Sequence, residues 1–382
     1  MKTNYDVAVI GCGGVGSAAL YSLASRGLRV VGIDKYSPPH AYGSSHGQTR
    51  VIRKAYFEHP NYVPLLIKSY KLWRELERKS TRQLMNLTGV LEIGPTDGVL
   101  IDGVRQSAKL HDLPVEFLSS KEASELYPGL YIPDHFEAAF EKDAGYLRVE
   151  QCVDSFINLA TSLGANLYTN THVLDWSASS NGVQIKTTNG LIEADSLIIS
   201  GGPWASSLLG DIDEVCLELR KKHMYWYSNN DQSYLSSSGF PVFAFELPAG
   251  DGVRFYYGFP QIDSNGVKIA EHTRGILVDS ADTKNVTIDP EAGDTEEFRK
   301  LYLPGITGEV CKHETCFYTV SHDENFYLDV HPQHENVVYA AGLSGHGFKF
   351  VPVLGEILAD LATQVELSEN IEFLRASAGR RK

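Results

Sequence analysis

The run Gly11-Cys12-Gly13-Gly14-Val15-Gly16 constrains this chain more than any other stretch. It follows an apolar segment at residues 5–10 and opens a helix-like segment at 15–24, with Gly27 where that helix would end. A second apolar run at 28–33 closes on Asp34. Residues 5–34 therefore read as one βαβ unit of about 30 residues, which implies a parallel sheet. In a G-x-G-x-x-G turn, Gly11 permits the tight bend, Gly13 lets a pyrophosphate approach the backbone, and Gly16 lets helix and strand pack closely. The helix start adds free N–H groups and the positive end of a dipole. Asp34 is placed to accept hydrogen bonds from an adenosine ribose. A dinucleotide ligand is the expectation, and the triplet alone leaves NAD and FAD both open.

Further along, Tyr62, Leu65, Leu66, Ser69, Trp73 and Leu76 recur at helical spacing and predict an amphipathic helix. Residues 87–145 read as short strands with one capped helix at Ser119-x-x-Glu122, an insertion belonging to a second domain. A helix over 149–163 and strands at 166–169, 182–188 and 191–200 return the chain to the nucleotide domain, ending in Gly201-Gly202-Pro203. Residues 217–315 read as strands and loops, including 221–227 and 253–259. A last strand at 336–341 leads through Gly342-Leu343-Ser344-Gly345-His346-Gly347 into a helix over 351–362. Two such strand–glycine turns far from the first favour FAD, because their helix starts could meet a flavin's ribityl and pyrimidine oxygens.

The formal charge of −14 over 382 residues opposes phosphate backbones and anionic membranes, so nucleic acid and lipid surfaces are poor partners. The basic end Arg380-Arg381-Lys382 is read as a solvated tail without function. The first residues lead straight into a strand with no signal-peptide pattern, and no apolar run is long enough to span a bilayer, which predicts a cytoplasmic protein. Cys12, Cys152, Cys216, Cys311 and Cys316 are odd in number and widely spread, which indicates neither a disulfide framework nor a metal site.

Several motifs in order carry a resemblance over almost the whole chain. They are Pro38-Pro39-His40, the segment Gly43-Ser44-Ser45-His46-Gly47-Gln48-Thr49-Arg50-Val51-Ile52-Arg53, Tyr56 with Glu58, and Tyr256-Tyr257-Gly258-Phe259-Pro260. Lys268 and His272 follow, then Cys316-Phe317-Tyr318-Thr319 and Gly345-His346-Gly347-Phe348-Lys349-Phe350. With these the chain resembles the sarcosine oxidase and N-methyltryptophan oxidase group of amine-oxidising flavoproteins. The resemblance implies an α/β fold: a Rossmann-type, glutathione-reductase-like FAD domain with an interleaved α+β substrate domain on an antiparallel sheet. Residues 1–85, 146–216 and 317–382 would form the former, and 86–145 and 217–316 the latter.

The resemblance also implies roles. Gly11, Gly13, Gly16, Asp34, His46, Gly345 and Gly347 would hold FAD, and Cys316 would join its 8α-methyl as a thioether. Arg53 and Lys349 would clamp the substrate carboxylate, with Tyr56 and Ala244 beside the substrate. Two cations are costly to bury together unless an anion joins them. Lys268 would sit over the other flavin face and assist electron transfer to O₂, while His272, Tyr257, Tyr318 and Arg50 complete the catalytic surroundings. Read from residue type alone, Cys316 would be a core residue, the tyrosines packing and the histidines ordinary polar contacts.

Two departures stand out. The family's Ser-His-His-Gly-Asp-Thr-Arg is here Ser44-Ser45-His46-Gly47-Gln48-Thr49-Arg50, lacking one histidine and one acid. Where sarcosine oxidases set a methionine against the substrate, this chain has Phe243-Ala244-Phe245, which suggests a roomier pocket. The expected activity is oxidation of an N-methyl amino acid to an imine, then formaldehyde and the primary amino acid, with O₂ reduced to hydrogen peroxide. N-methyl-L-tryptophan is the favoured substrate and the enzyme is expected to be monomeric. The alternatives are a sarcosine or cyclic imino-acid oxidase, a dehydrogenase serving a protein acceptor, and a flavin-binding protein without turnover.

Overall fold

A computed structural model describes residues 5–210, 212–250, 252–282, 289 and 291–376. The tail Arg380-Arg381-Lys382 lies outside them.

The first glycine turn links Tyr5–Ile10, the helix Gly14–Ser25 and Val30–Ile33, as the βαβ reading requires. Their parallel sheet runs in the order His334–Ala341, Gly190–Ile199, Tyr5–Ile10, Val30–Ile33, Asn166–Tyr168. Its central strands are buried on both faces, as parallel strands between helices should be. Val7 and Val9 pack under the helices Gly14–Ser25 and Val351–Ala362, while Ala8 and Ile10 pack on the opposite side with Leu197 and Ile199. Gly355 is what brings the two helices together, since a Cβ there would meet the backbone of Ala18 at 2.6 Å.

A second sheet of nine strands is mostly antiparallel, with Val310–Ser321, Leu217–Tyr227, Val267–Glu271, Gly252–Phe259 and Val242–Ala249 in succession. Val242–Ala249 then pairs in parallel with Val90–Pro95, so the segment inserted near residue 90 joins the sheet made by the later segment. The strand Val310–Ser321 is continuous across the expected division at residue 316. A small third sheet pairs Thr49–Ile52 and Met85–Asn86 with Gly145–Arg148.

The capping box at Ser119 and Glu122 forms as its spacing predicts. Residues 87–145 hold one further helix, Val99–His111, where the sequence suggested only strands and the capped helix. Leu100, Ile101, Val104 and Ala108 line its buried face, and Gly103 interrupts the pattern for a reason of packing: a Cβ there would lie 2.6 Å from the Phe57 carbonyl oxygen.

Candidate active site

The carboxyl ends of Tyr5–Ile10, Val30–Ile33 and Gly190–Ile199 open on a cavity of about 600 Å³ lined by Gly11, Gly13, Gly14, Asp34, Ser200, Gly201, Gly345 and Gly347. Ligands of open α/β sheets bind at this end. Gly11 has φ +84°, and a Cβ on Gly16 would sit 1.8 Å from the Gly11 carbonyl oxygen, so neither position takes a side chain. Asp34 is buried at the rim and accepts from the Cys12 and Tyr36 amides, both at 2.8 Å. This cradle suits a dinucleotide: glycine backbone, a helix start and an acid at the end of the second strand meet in one elongated cavity.

A smaller cavity of about 90 Å³ adjoins it, with Arg50, Tyr318, Gly345 and Phe348 lining both. Arg53, Glu58, Glu92, Ala244, Tyr257, His272, His346 and Lys349 also line the smaller one. Arg50 is held by the carbonyls of Ser44 and Thr49 at 2.9 and 2.8 Å. Tyr257 and Tyr318 set their hydroxyls 3.5 Å apart, and His272 Nδ1 lies 3.4 Å from the latter. Burial pushes His272 down to about 3, so its ring is neutral near pH 7.

Arg53 is not a bare cation. One of its terminal nitrogens meets both Glu58 oxygens at 2.9 and 2.8 Å, the other donates to the Ala55 carbonyl, and Nε lies 3.2 Å from Glu92. Although burial opposes ionisation, Arg53 holds the Glu58 carboxyl down at about 2. Lys349 Nζ donates to the His346 carbonyl at 2.9 Å, and burial together with Arg53 pushes it down to about 7. Tyr56 does not line the cavity: its ring lies under both cations, 4.5 Å from the Arg53 guanidinium and 5.1 Å from the Lys349 ammonium. It therefore lies behind the two cations, and its hydroxyl meets His346 Nδ1.

Lys268, His46 and Cys316 are buried and line neither cavity, lying behind those that do. Lys268 donates to the carbonyls of Gly47 and Thr49 at 2.7 and 3.1 Å, and burial with the nearby Arg50 pushes it well below its ordinary value. The chain neighbours of Cys316, Phe317 and Tyr318, line the larger cavity. Burial raises the Cys316 thiol, while Arg50, Lys268 and Lys222 oppose that rise by favouring a thiolate. His46 Nδ1 lies 3.6 Å from the Glu314 carboxylate, and neither ring nitrogen makes a closer polar contact among the described residues.

With the nucleotide cradle and the paired cations placed, comparison with known proteins decides the family. The family described as DAO, FAD dependent oxidoreductase, matches residues 6–361. The chain belongs to this family.

Among its relatives is a monomeric sarcosine oxidase of Bacillus sp. (strain B-0618), 39% identical over 378 residues, or 98% of this chain and 96% of the relative. An N-methyl-L-tryptophan oxidase of Salmonella enteritidis PT4 (strain P125109) is 37% identical over 361 residues, 94% of each chain. Among solved structures, NikD, an unusual amino acid oxidase essential for nikkomycin biosynthesis, superposes with a TM-score of 0.84 over 98% of both chains at 22% identity. This last likeness speaks for the fold alone. The protein is an FAD-dependent oxidoreductase with the Rossmann-type FAD domain and second sheet that its sequence implies.

Within this DAO-family oxidoreductase the two motif departures acquire structural accounts. Ser45 Oγ accepts the Gly14 amide at 3.0 Å, tying the loop to the start of the nucleotide-site helix. Gln48 accepts from the Trp226 indole at 2.9 Å and donates to Asp263. The sequence reading overlooked Glu92 and gave Glu58 no role. Glu92 carried a usable signal, an acid in the middle of the apolar run Val90-Leu91-Glu92-Ile93.

Away from the site, His223, Asp289 and His313 form a cluster of metal-ligand types. His223 Nδ1 and His313 Nε2 are 3.0 Å apart with ring centroids at 5.2 Å and planes 10° apart, so the two nitrogens face one another head on. Asp289 Oδ2 lies 3.3 and 3.6 Å from these same two nitrogens.

Proposed function

We propose that this flavoenzyme oxidises secondary amino acids of the N-methyl type, releasing formaldehyde and the primary amino acid, and that it passes the electrons to O₂. The single observation that carries the reading is the pair Arg53 and Lys349, both buried, facing one cavity that adjoins the nucleotide cavity. Bound flavin supplies a two-electron acceptor that O₂ can reoxidise, yielding hydrogen peroxide. The chain's own residues do the rest. Arg53 and Lys349 fix the substrate carboxylate, and this orients the C–N bond toward the larger cavity. His272, Tyr257 and Tyr318 surround the amine with groups that are neutral near pH 7, which favours the neutral amine whose lone pair the oxidation needs. Hydrolysis of the imine completes the reaction.

The same reading puts FAD on Cys316 as a thioether, with Lys268 assisting the oxygen reaction and the enzyme acting as a monomer. The names of the sarcosine oxidase relatives support the monomer, and no described helix is long and apolar enough to cross a membrane.

An N-methyl amino acid with a large side chain, N-methyl-L-tryptophan first, is the favoured substrate. Ala244 lines the smaller cavity where a methionine would fill it, and apolar area removed from water contributes roughly 25 cal/mol per Å². The test is peroxide release and kcat/KM across sarcosine, N-methyl-L-tryptophan and cyclic imino acids. Parent enzyme should turn over N-methyl-L-tryptophan at least as well as sarcosine, and Ala244→Met should lower that ratio. A strong preference of the parent for sarcosine makes a plain sarcosine oxidase the better reading. Flavin that stays oxidised with every amine leaves a flavin-binding protein without turnover.

A further inference from the structure

Glu92 faces Ala244 across the parallel pairing of Val90–Pro95 with Val242–Ala249, and both line the smaller cavity. The space vacated by the short alanine side chain is therefore bordered by a carboxylate. Glu92 is 2% exposed. Its one ion-pair contact among the described residues is Arg53 Nε, 3.2 Å from Oε1, without hydrogen-bond alignment, and Oε1 has no hydrogen-bond partner. Glu58 and the Ala55 carbonyl already take the terminal nitrogens of Arg53, so only its Nε faces Glu92. A buried carboxylate without donors is costly and needs either a proton or a donor from elsewhere.

We propose that Glu92 is a specificity-determining residue of this pocket, selecting secondary amino acids whose side chain carries a nitrogen hydrogen-bond donor, such as an indole N–H or an ammonium, over apolar side chains of equal size. The proposal rests on the secondary amino-acid reading given above. The carboxylate clamp fixes one end of the substrate, and a side chain passing over Ala244 then reaches Glu92. Burial holds the Glu92 carboxyl up at about 7 in the absence of such a donor, against the pull of Arg53.

The test uses holoenzyme and two matched pairs. One is N-methyl-L-tryptophan against its benzothiophene analogue, in which sulfur replaces the indole N–H. The other is N-methyl-L-lysine against N-methyl-2-aminoheptanoate. Sarcosine, which has no side chain, reports any loss common to all substrates. The expected result is a donor preference in kcat/KM of about tenfold or more in at least one pair, the size of one good hydrogen bond. It should collapse toward unity in Glu92→Val and fall partway in Glu92→Gln, which keeps the shape and one acceptor oxygen. Flavin content and thermal unfolding verify that each variant is folded, and the sarcosine rate normalises the losses common to all substrates. Equal kcat/KM within both pairs in the parent, or a preference that survives in Glu92→Val, overturns the proposal while leaving the oxidase reading intact. Failure of every secondary amino acid, sarcosine included, to bleach the flavin anaerobically defeats the oxidase reading itself.

Discussion

Arg53 and the half-buried Glu58 form a pair in which one guanidinium nitrogen contacts both carboxylate oxygens, at 2.9 and 2.8 Å, on the wall of the cavity where the proposed substrate carboxylate would compete for the same cation. Truncating the arginine removes the counter-charge of Glu58 and Glu92, rather than exposing Lys349 to an unpaired state. Stranding a buried charge costs roughly 3–5 kcal/mol. Arg53→Ala should therefore lower thermal stability and reduce kcat/KM for every carboxylate substrate by about a hundredfold or more. Calorimetry and steady-state rates check both effects; a stable variant that loses only one substrate would contradict the shared clamp.

Lys349 gives the clamp a pH dependence. Its ordinary value is lowered to about 7, so the ammonium is present below that pH and lost above it. Glu92, raised to about 7, gains its negative charge over the same range. Both changes weaken an anion as pH rises. The affinity for methoxyacetate, a carboxylate with no titrating nitrogen, should fall above pH 7 with a slope approaching about tenfold per unit. Flavin absorbance reads the binding directly. Lys349→Arg, which stays charged, should reduce the dependence to the part that Glu92 contributes; a parent affinity unchanged between pH 6 and pH 9 would refute the assignment.

Cys316 carries the third prediction. It is buried beside residues that line the larger cavity, and three cations favour its thiolate. Acid-precipitated protein should stay yellow and carry the mass of FAD, and Cys316→Ser should release all flavin on denaturation. Colour lost from the parent on precipitation rules out the thioether.

Lys268 should act on the oxygen half of the cycle. Lys268→Met is expected to slow reoxidation of reduced flavin by orders of magnitude while anaerobic reduction changes much less. Some loss of stability accompanies it, because the carbonyls of Gly47 and Thr49 lose a buried donor at about 1–3 kcal/mol. Stopped-flow traces separate the two half-reactions, and equal losses in both would remove the proposed role.

The nucleotide half of the protein was legible because its signals are local. Gly11, Gly16 and Asp34 lie within one βαβ unit, and the cap at Ser119 and Glu122 spans a single helical turn. What escaped the sequence depended on distant partners. The helix Val99–His111 hides behind Gly103, whose missing side chain answers to Phe57 and not to helix propensity. Glu92 matters because Val90–Pro95 pairs with Val242–Ala249, a contact across more than a hundred residues that no periodicity announces. The motif that carries Tyr56 gives no sign that its ring lies behind Arg53 and not on the cavity wall, since motif order does not distinguish a wall from its backing.

The short loop before Thr49–Ile52 has its Ser45 hydroxyl bonded to the Gly14 amide and its Ser44 hydroxyl bonded to the Phe317 carbonyl, while the Ser44 carbonyl holds Arg50. Three anchors on one loop make it a common hinge pin for both cavities. The two cavities are then not independently built: the loop that meets the glycine turn runs directly into the strand that carries Arg50 and leads to Arg53.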